Sequence, residues 1–277
     1  MKNTYQEFST LLRSIKSNSC SCTSTKEKTI DAICDISGKD SIAACVTSAI
    51  EEDFEVLLPV VVRVPTEFGD FDLQENVEIL KQILHSTRPT LTVLDTIYIS
   101  ADSLWWLLNG RFVAELIRKF GFYSPCPGCH LLLHSLRSAL ASTLKIKHVI
   151  SGERIFHGSR QKINQLPLSL QYYQLLMSWM EVRHLLPIKD VINDCDIENI
   201  LGRKTSCFGQ KRCVFSSNYY TEDGRIIVDS DALDRYFSEF ALPFMKRILK
   251  MVIDGINTEV IEEHAACFFS SRQAEGV

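Results

Sequence analysis

The segment Ile33-Cys34-Asp35-Ile36-Ser37-Gly38-Lys39-Asp40-Ser41-Ile42 passes from an apolar run into a helical pattern through a turn of small residues. Such a turn suits an anion, because the free N–H groups of the first helical turn and the helix dipole point at one spot. Gly38 lets the backbone approach a phosphate, Ser37 and Ser41 offer hydroxyl donors, and Lys39 offers a charge. Asp40 suits a Mg2+ ligand or an N-terminal helix cap. The loop matches neither Gly-x-x-x-x-Gly-Lys-Ser/Thr nor Gly-x-Gly-x-x-Gly, which disfavours kinase-like transfer of a γ-phosphate.

A second set of residues is sulfur-rich. Pro125-Cys126-Pro127-Gly128-Cys129-His130 leads into a helix with His134 one turn on. Two thiols at this spacing can share a metal, or form a redox pair whose thiolate is stabilised at the helix N-terminus. Cys207 and Cys213 form a second pair; four thiols could close a zinc site or hold an iron-sulfur cluster, and three could hold a cluster with one open iron. His130 and His134 share a helical face and could supply nitrogen ligands, or be ordinary surface or core residues. Cys34 and Cys45 fall on an apolar strand and helix and read as core, while Cys195 and Cys267 carry no signal.

The third set is Ser151-Gly152-Glu153-Arg154-Ile155-Phe156-His157-Gly158-Ser159-Arg160-Gln161-Lys162, with Asn164 and Gln165 beyond it. It follows an apolar strand, and in an open parallel sheet the carboxyl ends of the strands line the ligand crevice. Gly152, Arg154, Arg160 and Lys162 are therefore candidates to face the Ser37–Ser41 loop and hold a polyanion, with His157 as a proton carrier. Arg111 is either a further substrate contact or an exposed helical arginine.

The elements that must position these residues alternate. Apolar β-branched runs at Ile30–Ile36, Phe54–Val64, Leu91–Ile99 and Lys147–Ser151 alternate with helical patterns at Ser41–Ile50, Leu73–Ser86, Ser103–Phe120 and Cys129–Thr143. That order predicts an α/β fold with a Rossmann-like parallel sheet. Helical patterns at Leu168–Arg183, Ile197–Leu201 and Asp231–His264 predict a smaller, mostly helical C-terminal part. Ser17–Lys28, with Cys20 and Cys22, reads as a flexible linker. The division is then 1–28 for an N-terminal helix and linker, 29–165 for the α/β domain, and 166–277 for the C-terminal part with its cysteine loop.

At 277 residues and 45% hydrophobic content the chain can bury a full core unaided. A formal net charge of −4 supplies no global field for nucleic acid, so any such contact needs a local patch, for which Lys145, Lys147, Lys204, Lys211 and Arg212 are candidates. No stretch suits a signal peptide or a membrane span, which leads to a cytoplasmic expectation. In that reducing setting ten cysteines read as core, ligands or reactive thiols rather than disulfides.

Ser37-Gly38-Lys39-Asp40-Ser41 resembles the Ser-Gly-Gly-x-Asp-Ser signature of the PP-loop ATP pyrophosphatases, shortened by loss of the paired glycine, so that Ser37 takes the first glycine position and Ile36 the serine position. The stretch Cys126–Ser151 is similar to that of members that modify tRNA with sulfur, where Cys-x-x-Cys opens the helix before the fourth strand. Here Val149-Ile150-Ser151-Gly152-Glu153-Arg154 stands where many relatives carry Gly-His. The resemblance implies ATP on Ser37, Gly38, Lys39, Asp40, Ser41, Gly152, Arg154, Arg160 and Lys162, with Mg2+ bridging its phosphates. It implies adenylation of a carbonyl oxygen, with Lys39, Asp40, Arg154 and Arg160 acting on the phosphates. Cys126 and Cys129 would serve sulfur transfer, and Cys126, Cys129, Cys207 and Cys213 an iron-sulfur cluster or Zn2+. The implied partners are a tRNA or small-molecule substrate, a sulfur-donor protein and a second copy of the chain. Amide or nitrile formation with cysteine-bound zinc, as in the 7-cyano-7-deazaguanine synthases, and nucleotide binding without turnover are the alternatives.

Overall fold

The structure, a computed structural model, describes residues 5–19, 29–69 and 73–269. In chain order the first half runs β1 (Gln6–Glu7), α1 (Phe8–Ser19), β2 (Ala32–Asp35), α2 (Lys39–Glu51), β3 (Val56–Arg63), β4 (Glu67–Phe68), α3 (Gln74–Thr87), β5 (Thr92–Val93), β6 (Ile97–Ser100), α4 (Asp102–Trp105) and α5 (Val113–Phe120). The second half runs α6 (Pro125–Leu144), β7 (His148–Ile150), α7 (Pro167–Trp179), β8 (Arg183–Leu185), α8 (Asp194–Leu201), β9 (Arg212–Cys213), α9 (Ser230–Tyr236), α10 (Leu242–Ile253) and α11 (Thr258–Ala266).

The central sheet has seven strands, all in parallel pairs, ordered β1-β6-β3-β2-β7-β8 with β5 also on β3. The expected α/β Rossmann-like sheet is thus present. The chain winds from β2 outward through β3 to β6, then returns to lay β7 on the other side of β2. Side chains alternate across the sheet: Ile33, Leu58, Val60 and Val62 join one core with α1, α6, α7 and α10, while Ala32, Cys34, Leu57 and Val61 join the other with α2, α3 and α8. Cys34 and Cys45 are buried in that second core, as their positions suggested.

Four expectations are corrected. The α/β domain does not begin at residue 29: β1 pairs with β6, and Phe8 and Leu12 are buried in the first core. The run Leu91–Ile99 is two short strands, β5 and β6, separated by Leu94-Asp95-Thr96, of which Leu94 N–H still donates to Leu57 O on β3. The helix over 103–120 is broken by a π turn at Trp106–Gly110. The pattern at Leu168–Arg183 ends at Trp179, and β8 follows as a fifth crossover strand beside β7. The sheet and the first core therefore run straight through the boundary set at 165/166. Of the linker expected at Ser17–Lys28, residues 17–19 belong instead to the last turn of α1, and the rest, with Cys20 and Cys22, lies outside the described residues.

Candidate functional site

Winding reverses between β2 and β7, and at that point a crevice must open where the connections leave in opposite directions. A cleft of about 540 Å³ lies there, lined by Asp35 to Ser41 beyond β2, by Gly152 and Glu153 beyond β7, and by His130, His134 and Arg137 from α6. Two of the sequence-predicted sets therefore face each other as expected. The size suits a nucleotide.

Ser37 and Gly38 form the turn into α2, and Gly38 is the N-cap residue, so Asp40 is not the cap. The helical ladder begins with Ile42 N–H donating to Gly38 O, which leaves the N–H groups of Lys39, Asp40 and Ser41 in the open first turn. Ser41 differs from its expected role: its buried Oγ accepts from Ser37 N at 2.9 Å and Gly38 N at 3.1 Å, and holds the loop closed. Gly152 packs directly on this turn. A Cβ there would sit 2.3 Å from Ser41 N, so only glycine lets the two crevice walls meet.

Opposite the loop stand buried cations. Arg137 Nη2 pairs with Asp35 Oδ1 at 2.5 Å, while its Nε and Nη1 are buried without a partner. Arg154 is wholly buried; its Nη2 donates to Asp194 Oδ1 and to His157 Nδ1, both at 2.8 Å, and its Nη1 has no partner. Buried guanidinium donors left open are costly unless an anion joins them. Lys39 also pairs with Asp194, whose carboxylate thus holds two of the cations. Burial pushes the Asp194 carboxyl up, but the Lys39 and Arg154 hydrogen bonds outweigh it and leave it below its ordinary value. Burial pulls the Lys162 ammonium down and pushes the Asp40 carboxyl up, against the pull of Arg154, Lys162 and Lys39. Arg160 is exposed at the rim.

A directed chain of hydrogen bonds leaves Arg154. Because the guanidinium only donates, His157 Nδ1 accepts; Nε2–H then donates to Gln165 Oε1 at 2.6 Å, and Gln165 Nε2 donates to Glu153 Oε2 at 2.6 Å. Burial and the Lys162 charge lower His157 to about 4, so it is neutral at pH 7 and acts as a bridge rather than a cation. Glu153 Oε1 meets His130 Nδ1 at 2.9 Å and His134 Nε2 at 3.0 Å. Burial pushes the Glu153 carboxyl up, but the His130 and His134 interactions outweigh it and hold it well below the usual range.

Cys126 and Cys129 occupy the first turn of α6, one turn earlier than the predicted start, because Pro125 tolerates the first helical position. Gly128 lies between them, and a Cβ there would come 2.3 Å from Asn109 Oδ1 and 2.4 Å from the Tyr236 hydroxyl, so those side chains would have to move. Cys213, on β9, is an electrostatic neighbour of both thiols, and Cys126 and Cys213 both act on Tyr219 at the cleft wall. The stabilised thiolate expected of the helix N-terminus is absent: burial raises Cys126 to about 12 and Cys129 further. Cys207 is exposed on a separate turn at Thr205–Cys207 packed on α8, away from the other three. Cys195 and Cys267 are exposed.

Sequence reasoning missed Arg137, Asp194 and Tyr219, each a lone residue on an element with no motif. The basic residues proposed as a groove do not converge. Lys145 and Lys147 sit at the amino end of β7, opposite the cleft, while Lys204 pairs with Glu198 and Lys211 with Glu67. Arg111 is exposed.

No family model matches the chain. It is 35% identical over 222 residues to the uncharacterized protein MJ0009 of Methanocaldococcus jannaschii, covering 79% of each chain. The chain belongs to the family of that protein. Among solved structures it is similar to the U34-tRNA thiolase NcsA from Methanococcus maripaludis, a structure with its 4Fe-4S cluster, at 11% identity and a TM-score of 0.38 over 93% of this chain and 79% of that one. A likeness at that level fixes neither reaction nor cofactor. No described helix is long and apolar enough to cross a membrane.

Proposed function

We propose that this chain is an ATP-dependent adenylating enzyme of the PP-loop type, cleaving ATP to AMP and pyrophosphate while activating a carbonyl oxygen for sulfur transfer, as in tRNA thiolation. The observation that carries the reading is the meeting, at the switch point of the sheet, of the open first turn of α2 with two buried guanidiniums whose donors lack partners. Phosphates bind the N–H groups of Lys39, Asp40 and Ser41 and displace Asp194 from Lys39 and Arg154. Arg154, Lys162 and Arg160 hold the departing pyrophosphate, where preorganised donors stabilise developing charge. Asp40, whose buried Oδ1 makes no hydrogen bond and is ion-paired with Arg154 Nε at 3.3 Å, is the proposed Mg2+ ligand, and that ion would neutralise phosphate charge.

In this reading Cys126 and Cys129, with Cys213 as their electrostatic neighbour, handle the sulfur and would hold a soft metal centre. Burial disfavours free thiolates at Cys126 and Cys129, and metal ligation is the usual way such thiols ionise. Three thiolates leave one position of an iron-sulfur cluster open, and such a centre supplies a place to hold sulfur. A sulfur-donor protein, a homodimer and a cytoplasmic location complete the reading. The test is to incubate anaerobically purified protein with ATP, Mg2+, sulfide and bulk tRNA. AMP and thiolated tRNA are expected together, and Cys126→Ala or Cys129→Ala should abolish the thiolated product while ATP binding persists. ADP as the nucleotide product, or full thiolation by both variants, would refute it.

A further inference from the structure

His130 and His134, one turn apart on α6, project from the same helical face, and Glu153 reaches them from the loop beyond β7. We propose that His130, His134 and Glu153 bind one divalent transition-metal ion of the zinc or ferrous-iron class. No residue of this set belongs to those assigned above to phosphate or sulfur, so the site stands whether or not the adenylation reading does.

The geometry is that of a ligand set. Glu153 Oε1 lies 2.9 Å from His130 Nδ1 and 3.0 Å from His134 Nε2, and the three donor atoms fall within 4.8 Å of one another. Metal–nitrogen and metal–oxygen bonds of about 2.0–2.2 Å meeting near a right angle separate their donors by about 3 Å, so an ion can enter with small shifts. Two imidazoles and a carboxylate select zinc or iron over magnesium or calcium, which take oxygen.

The outer contacts fit at two of the three ligands, His130 and Glu153, while the far Nδ1 of His134 is buried without a hydrogen-bond partner. Ligating groups are normally aimed by a second hydrogen bond, and here the far Oε2 of Glu153 accepts from Gln165 at 2.6 Å while the far Nε2 of His130 meets the Asn164 amide at 3.0 Å. Half a turn of that amide lets Oδ1 accept from Nε2–H and frees the Nδ1 lone pair for an ion; the two settings differ only in which amide atom faces the ring. His134 is buried, whereas the His130 side chain is 31% exposed and lines the cleft, so the remaining coordination positions face a ligand in the cleft.

Cobalt(II) tests this directly. The full chain, treated with chelator, is titrated with Co2+ alone and followed by absorption. One equivalent is expected to give only weak visible bands, without an intense thiolate-to-cobalt transition, and to persist in Cys126→Ala. In His130→Ala and in Glu153→Gln that equivalent should weaken by more than the roughly 100-fold that loss of an outer contact costs, and in Asn164→Ala by about 10- to 100-fold. The proposal is overturned if the wild-type chain binds no Co2+, if every bound equivalent shows the thiolate transition, or if folded His130→Ala and Glu153→Gln bind as tightly as wild type. The wild-type spectrum decides even where a variant fails to fold.

Discussion

Arg137 and Arg154 concentrate the physical argument, because each is a buried cation with donors that the protein itself leaves open. Arg137→Met strands the Asp35 carboxylate without its guanidinium. Urea unfolding should then show a loss of about 3–5 kcal/mol, the usual cost of breaking a buried pair. Arg160→Ala is the contrasting case: the side chain is exposed, so stability should stay within about 0.5 kcal/mol. Its adenylation rate should nevertheless fall by about 10²-fold, measured as AMP release. His157 gives a pH prediction. Its folded value of about 4 lies below the ordinary 6.5, so the unfolded chain binds the extra proton, and stability is full above pH 6.5 and declines as pH falls toward 4. Denaturant midpoints at pH 7 and pH 5 should show the loss, and His157→Gln should reduce it. The residues legible in the sequence were those in a motif after a strand: Ser37 to Ser41, Gly152 and Arg154. Arg137 and Asp194 were not, since a lone charge on a helix looks like a solvated one until the fold buries or pairs it.

At the scale of elements, the cleft depends on how closely the loop beyond β7 approaches the first turn of α2. Gly152→Ala places a methyl 2.3 Å from Ser41 N, with backbone as the obstacle, so one wall must move. Chemical denaturation should show a loss of about 1–3 kcal/mol, and ATP binding by calorimetry should weaken with it; unchanged stability and affinity would mean the walls are not in contact. The longer elements were legible because burial imposes its period: β2 and β3 alternate between two cores, and α2 follows the loop it caps. β8 was hidden for two reasons. It is three residues long, and the turn before it uses Glu181 at φ 58° where a glycine would have marked the break. α6 likewise ends on Lys145 at φ 59°.

For the whole molecule, one sheet draws on segments from Gln6 to Leu185. β1 completes one edge and β8 the other, and α1, α7 and α10 cover the face on which α6 lies. A fragment of residues 29–165 should therefore fail to fold, judged by near-UV circular dichroism and dispersed NMR signals; an ordered fragment would restore the three-part division that the sequence suggested. The same integration brings α8, from the C-terminal half, to the mouth of the cleft, where Asp194 pairs with Lys39 and Arg154. Composition and periodicity revealed the α/β class, but not this closure, because β-pairing between distant segments leaves no local pattern. The central claim is attack at the α-phosphorus of ATP in this cleft. ATP–pyrophosphate exchange with Mg2+ and a pool of candidate acceptors, run beside Arg154→Met, measures it most directly. The account predicts labelled ATP from labelled pyrophosphate in the wild type and none in the variant, whereas tight ATP binding with no exchange and ADP as the only product would contradict it.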